Sequence, residues 1–192
     1  MKNLLLCLFI ATGCTSPQHE TKKFVNQDFG AFSINIPQTW KRLDAQGIDS
    51  YVGMIAIDGT DTLSFDLGQY SSNLEDEKVY MVRDGEIYVF EEVLENKEPT
   101  VNSIYKYVGL VGEVDTLQYI KEQVEWVEID KRKAKLVKPK KSGLGTTGVY
   151  IDSLWGKGYA IDKFQINGRN LKPTNEKDFL EALKTLRFKQ IQ

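Results

Sequence analysis

Apolar and polar residues alternate with a period of two along much of this chain, which marks half-buried β-strands. Phe32-Ser-Ile-Asn-Ile-Pro37 is the cleanest run, and it ends at a proline that cannot donate to a sheet ladder. Residues 51–57 and 62–67 flank Asp58-Gly-Thr-Asp61 and read as a hairpin. Asp84-Gly85, a pair suited to tight hairpin turns, joins residues 78–82 to 87–93. Residues 91–100 are acidic, end in Pro99-Thr100 and read as a loop, and residues 103–111 alternate again. Residues 115–123 are expected as one short helix. Strands are expected at 124–129 and 134–137, around Asp130-Lys-Arg-Lys133. Two more follow at 148–154 and 159–166, the last closing at Asn167-Gly168.

Helical spacing is clear only near the end. Phe179, Leu180, Leu183 and Leu186 form one apolar stripe. Thr174 or Asn175 is placed to cap the helix, and Glu176 and Asp178 suit its positive end. Residues 186–188 can continue as a short strand. The stripe must lie on the sheet to be buried. The expected class is therefore α+β: an antiparallel β-sheet with flanking helices, including a C-terminal amphipathic helix.

The start follows a different pattern. Lys2 gives a positive first region, Leu4 to Ile10 form an apolar run, and Ala11-Thr-Gly13 are small residues directly before Cys14. That is a secretory signal peptide, and it is too short to serve as a mature membrane span. Ala-Thr-Gly-Cys resembles the bacterial lipobox, although its first position is Ala11 rather than the usual Leu. The expected organisation is a signal peptide at 1–13, a lipidated tether at 14–28 and a single α+β domain at 29–192. Cys14 is the lipidation site. Two or more acyl chains, palmitate among them, would anchor it stably, at about 0.8 kcal/mol per buried CH₂.

Composition narrows the function classes. Removal of residues 1–13 leaves 179 of the 192 residues, and loss of Lys2 takes the net charge from −2 to −3. So mild a charge argues against nucleic-acid binding. The 41% hydrophobic and 11% aromatic content suffices for a packed core. Cys7 leaves with the signal and Cys14 carries lipid, so no thiol remains for a disulfide, a metal or a nucleophile.

Several motifs invite chemistry and favour a plainer reading. Gly143-Leu-Gly145-Thr-Thr-Gly148 matches the dinucleotide fingerprint letter by letter, but a strand pattern follows it where a helix is needed. No nucleotide is expected, and with no Gly-Lys-Ser/Thr a P-loop is excluded. Residues 131–141 carry seven basic side chains, which reads as a solvated hairpin rather than a lipid-binding patch. The only histidine, His19, falls in the tether, where it cannot serve a metal or a triad. Asp58-Gly-Thr-Asp61 lacks the spaced carboxylates of a calcium loop. The acidic Glu75-Asp-Glu77 and Glu91-Glu92 read as solvated, and Trp40, Trp126 and Trp155 as core. No catalytic, cofactor-binding or metal residues are assigned, and no enzyme activity is expected.

Three stretches together resemble the small exported domains of the Mog1/PsbP-like group. They are Phe32-Ser-Ile-Asn-Ile-Pro37 with Trp40, the hairpin from Val127-Glu-Ile-Asp130 to Lys133-Ala-Lys-Leu136, and Phe164-Gln-Ile-Asn167 running into Phe179–Leu186. The resemblance implies a sheet flanked by helices and a mostly non-enzymatic role, since the group includes photosystem accessory subunits, periplasmic lipoproteins and chaperones of secreted effectors. The start Cys-Thr-Ser-Pro resembles lipoproteins of the Bacteroidota. Residues 15–19 lack the acidic surface-export signal, which implies the outer membrane facing the periplasm. The expected function is a membrane-anchored binding or assembly module of the cell envelope with a protein partner. The alternatives are a periplasmic small-ligand binder or hydrolase using carboxylates in a cleft, and an immunity protein against a secreted toxin.

Overall fold

The computed structural model describes residues 22–74, 79–95, 97, 99–157 and 160–189. Seven antiparallel strands form the main sheet. From one edge to the other they are β3 (Lys41–Leu43), β4 (Tyr51–Ala56), β5 (Thr62–Gly68), β12 (Ala160–Arg169), β11 (Thr146–Lys157), β10 (Arg132–Pro139) and β9 (Glu122–Ile129). A second sheet of β1 (Phe24–Asp28), β2 (Phe32–Pro37) and β13 (Arg187–Phe188) and the helix α2 (Pro173–Leu183) bury their apolar sides in the same core as the main sheet. A third sheet, β6 (Tyr80–Arg83), β7 (Glu86–Phe90) and β8 (Tyr105–Leu110), forms an accessory lobe with the one-turn α1 (Glu91–Leu94).

The alternation seen in the sequence explains the core. Phe32, Ile34 and Ile36 of β2 point inward and are fully buried, as are Leu63, Phe164 and Ile166 of the main sheet. Phe32 lies 5.0 Å from Phe65 and 4.9 Å from Phe164, both edge-on, so the two sheets interlock through aromatic rings. From α2 and the turn after it, Phe179, Ala182, Leu183 and Leu186 complete the core. Asp84 and Gly85 both have positive φ, as do Asp130 and Lys131. Each pair makes the two-residue turn whose twist matches its flanking strands.

The class differs from the α+β expectation. Among the described residues strand makes up 53% and helix 12%, and two short helices do not flank a sheet, so the described part is mostly β. The physical reason lies in what covers the core. Much of the main sheet's apolar face is closed by β2 of a second sheet, and α2 covers only part of it.

Local expectations change too. Phe24–Asp28, expected inside the tether, pairs with β2 as a strand. Residues 91–94 turn into α1 instead of prolonging the strand after Asp84-Gly85. The helix expected at 115–123 shrinks to a single 3₁₀ turn at Thr116–Tyr119, followed by β9. The α2 helix starts at Pro173 with Lys172 at its cap, and neither Thr174 nor Asn175 nor the Lys172 side chain caps it.

Candidate functional site

The main sheet has two edges of very different length. β3 has three residues, whereas β9 has eight and spans about 27 Å. β9 pairs with β10 on one side, and among the described residues no strand pairs with the other. Its ladder starts at the Asp130-Lys131 turn with Ile129 opposite Arg132, then Val127 opposite Ala134 and Glu125 opposite Leu136. In an antiparallel ladder closed by a two-residue turn, these pairs exchange the hydrogen bonds. The N–H and C=O groups of Val124, Trp126 and Glu128 therefore point away from β10, toward the free edge.

Beside this edge lies a groove of about 430 Å³ between β9, β10 and α2. Val127, Leu136, Leu180 and Leu183 give it an apolar floor. Its rim carries paired charges, Lys138 with Glu125 at 2.6 Å and Lys184 with Glu181 at 2.7 Å. On the opposite face of β9, Trp126 is 58% exposed and the Lys133 ammonium sits 4.3 Å from its ring centre. A strand added along β9 would meet free backbone groups at its side, an apolar floor on one face and an indole on the other. That geometry suits capture of an extended chain segment.

A second cleft, of about 360 Å³, opens where Gln165, Asn167 and Arg169 of β12 meet Ser72 to Leu74 and Thr146. Asn167 donates to Gln165 there. None of its lining residues is a carboxylate, a histidine or a cysteine, so it holds polar groups but no acid–base pair.

The residues weighed in the sequence are scattered. Cys14, His19 and Glu75-Asp-Glu77 lie outside the described residues. Gly143 and Gly145 take positive φ in a loop, and Gly148 stands within β11, so a strand and not a helix follows them. A Cβ at Gly148 would meet the Ile166 carbonyl oxygen at 2.5 Å, so strand approach accounts for that glycine. The basic run is largely committed internally. Arg132 binds Asp130, Lys138 binds Glu125, Lys135 donates to the Asn73 and Leu74 carbonyls, and Lys140 to that of Leu117. Glu91 and Glu92 open α1. Trp40 is core, Trp155 packs partly buried against the core, and Trp126 is exposed.

Asp58-Gly-Thr-Asp61 is a turn with a structural task. Asp58 accepts from the backbone N–H groups of Thr60 and Asp61 and from Lys172 Nζ at 2.8 Å. The Asp61 N–H first, then the Lys172 ammonium, hold the Asp58 carboxyl well below the usual carboxylate range. Among the described residues no three His, Cys, Asp or Glu side chains cluster as a metal site, and no helix is long and apolar enough to cross a membrane.

The fold and the groove thus define a mostly β sandwich with one long free edge. Comparison with protein-family models, with curated proteins and with solved structures finds no match for the chain. Sequence reading missed the groove because Leu180 and Leu136 look like ordinary core positions.

Proposed function

We propose that this chain is a bacterial lipoprotein of the cell envelope, anchored through Cys14 at the outer membrane and facing the periplasm, with a domain that binds rather than catalyses. Its partner is an envelope protein that lays an extended segment along β9. The observation that carries this reading is the juxtaposition of the eight-residue free edge with the apolar groove beside it. The signal-like start and the lipobox-like Ala11-Thr-Gly-Cys14 support it. β9 carries Glu122, Glu125 and Glu128 and no basic residue. A segment that alternates apolar and basic residues complements it, whereas a second copy would oppose two acidic strands.

Photoreactive residues placed at Val124 and at Leu180 in the native lipoprotein test the reading. Both positions are expected to crosslink the same envelope protein in stoichiometric yield. Ile48, fully exposed in the loop between β3 and β4 at the far edge of the sheet, should give no such product. Absence of a partner, or equal labelling from Ile48, would count decisively against it.

A further inference from the structure

The accessory lobe carries a second surface that the groove does not use. Of the seventeen large apolar or aromatic side chains exposed among the described residues, nine fall between Tyr80 and Tyr119, about a fifth of the chain. Their exposure is concentrated rather than scattered, which is how interaction surfaces differ from ordinary protein exteriors. β7 turns Ile87 and Val89 to a fully buried side. Tyr88 and Phe90 lie on the other side, where Tyr88 stands opposite Tyr107 and Phe90 opposite Tyr105. The first pair meets edge-on at 5.9 Å and the second stacks at 4.0 Å. Tyr107 and Tyr105 stay 51% and 38% exposed. Four rings thus form a row on an open sheet face.

Carboxylates border this row. The Tyr88 hydroxyl donates to Glu86, and Glu91 follows Phe90 directly. Residues 80–119 hold eight acidic and three basic side chains, a net charge of −5. The rest of the chain after residue 13 has a net charge of +2. Two cations stand near: Arg83, close to the Tyr88 hydroxyl and 3.6 Å from Asp84, and Lys106, which stands opposite Val89 on the other side of the sheet and reaches Glu91 at 3.4 Å. Ring faces attract cations, and adjacent carboxylates add charge-assisted hydrogen bonds, so arginine and lysine side chains are what such a surface recognises.

We propose that the Tyr88–Tyr107–Phe90–Tyr105 face, with Glu86 and Glu91, is a recognition surface for a cationic, apolar segment of a partner protein, separate from the β9 groove. Anionic lipid head groups are repelled by the lobe's charge, and a second copy would bring two such acidic faces together.

The test titrates the purified full chain with two synthetic peptides of equal length, one of Arg-Leu-Pro repeats and one of Glu-Leu-Pro repeats, whose prolines lack the N–H groups that strand addition along β9 needs. The Arg peptide alone should bind, with affinity that falls as salt is raised. Combined Tyr105→Ser and Tyr107→Ser should weaken it about tenfold when measured well below the variant's melting temperature, which loss of the two cross-strand ring pairs lowers. Combined Glu86→Gln and Glu91→Gln, which leaves the rings in place, should do the same and covers the case in which the tyrosine variant folds poorly. Leu180→Asp in the groove should leave the affinity intact. Equal binding of both peptides, indifference to the carboxylate variant or loss on Leu180→Asp would overturn the assignment. So would self-association that the tyrosine variant abolishes, or uptake by phosphatidylglycerol vesicles in place of peptide binding.

Discussion

Asn175 Nδ2, in the first turn of α2, donates to Asp61 Oδ2 at 2.8 Å across 114 residues of sequence. Both residues are buried, and the same amide also reaches Asp58 at 3.0 Å. Asp61 further accepts the backbone N–H of Lys172 at 2.7 Å. The β4–β5 turn thus does for the helix start what a capping side chain does elsewhere. Truncating the amide leaves buried carboxylate oxygens short of a donor. Asn175→Ala should therefore cost about 1–3 kcal/mol in thermal or denaturant unfolding. Thr174→Ala, which removes no capping bond, should change stability by less than about 0.5 kcal/mol. Equal effects of the two would mean that the clasp contributes nothing.

Acid should loosen the same clasp. Asp58 has a carboxyl held below its ordinary value, chiefly by the Asp61 N–H and then by Lys172. A group depressed in the folded state adds stability that is complete above its unfolded value, near pH 4, and that is lost as pH falls toward the folded value. Denaturant midpoints of the wild type should drop through the acid range below about pH 5. Asp58→Asn should start lower at neutral pH and decline less steeply over the same range. Parallel curves for the two proteins would show that Asp58 does not carry the acid response.

Proline distinguishes the two sides of β9. Val124 points its N–H to the free edge, so Val124→Pro should keep the fold and abolish crosslinking from Leu180. Val127 donates into the ladder with β10, so Val127→Pro should cost about 1–3 kcal/mol by leaving a ladder acceptor unpaired. If Val124→Pro still binds the partner, side chains and not the strand edge carry recognition.

In the proposed anchor, attachment rests on one atom, the Cys14 sulfur. With Cys14→Ser there is no thiol to acylate, and the protein should move from the membrane to the soluble fraction on cell fractionation. A variant that stays with the membrane would remove lipidation as the basis of attachment.

The period-two runs fixed most strands, because alternation of apolar and polar side chains is a local property of an extended chain with one buried face. Phe32, Ile34 and Ile36, the Asp84-Gly85 turn and the Phe179–Leu186 stripe stand where that logic puts them, whereas the turn expected over residues 130–133 tightens to Asp130-Lys131. The groove was not legible. Whether Leu136 and Leu180 meet under cover or beside an opening depends on how far α2 reaches across the sheet, which no local pattern encodes.

By itself, the sequence determined the strand-rich character of the chain, the helix near its end and the short apolar start before Cys14, all set by neighbours a few residues apart. Only the tertiary structure decided three other points. A second sheet and not helices closes the core, Asn175 serves Asp61 rather than its own helix, and β9 ends the main sheet as a free edge. Each depends on contacts between residues far apart in the chain, whose partners are chosen by packing and by the need to satisfy buried polar groups.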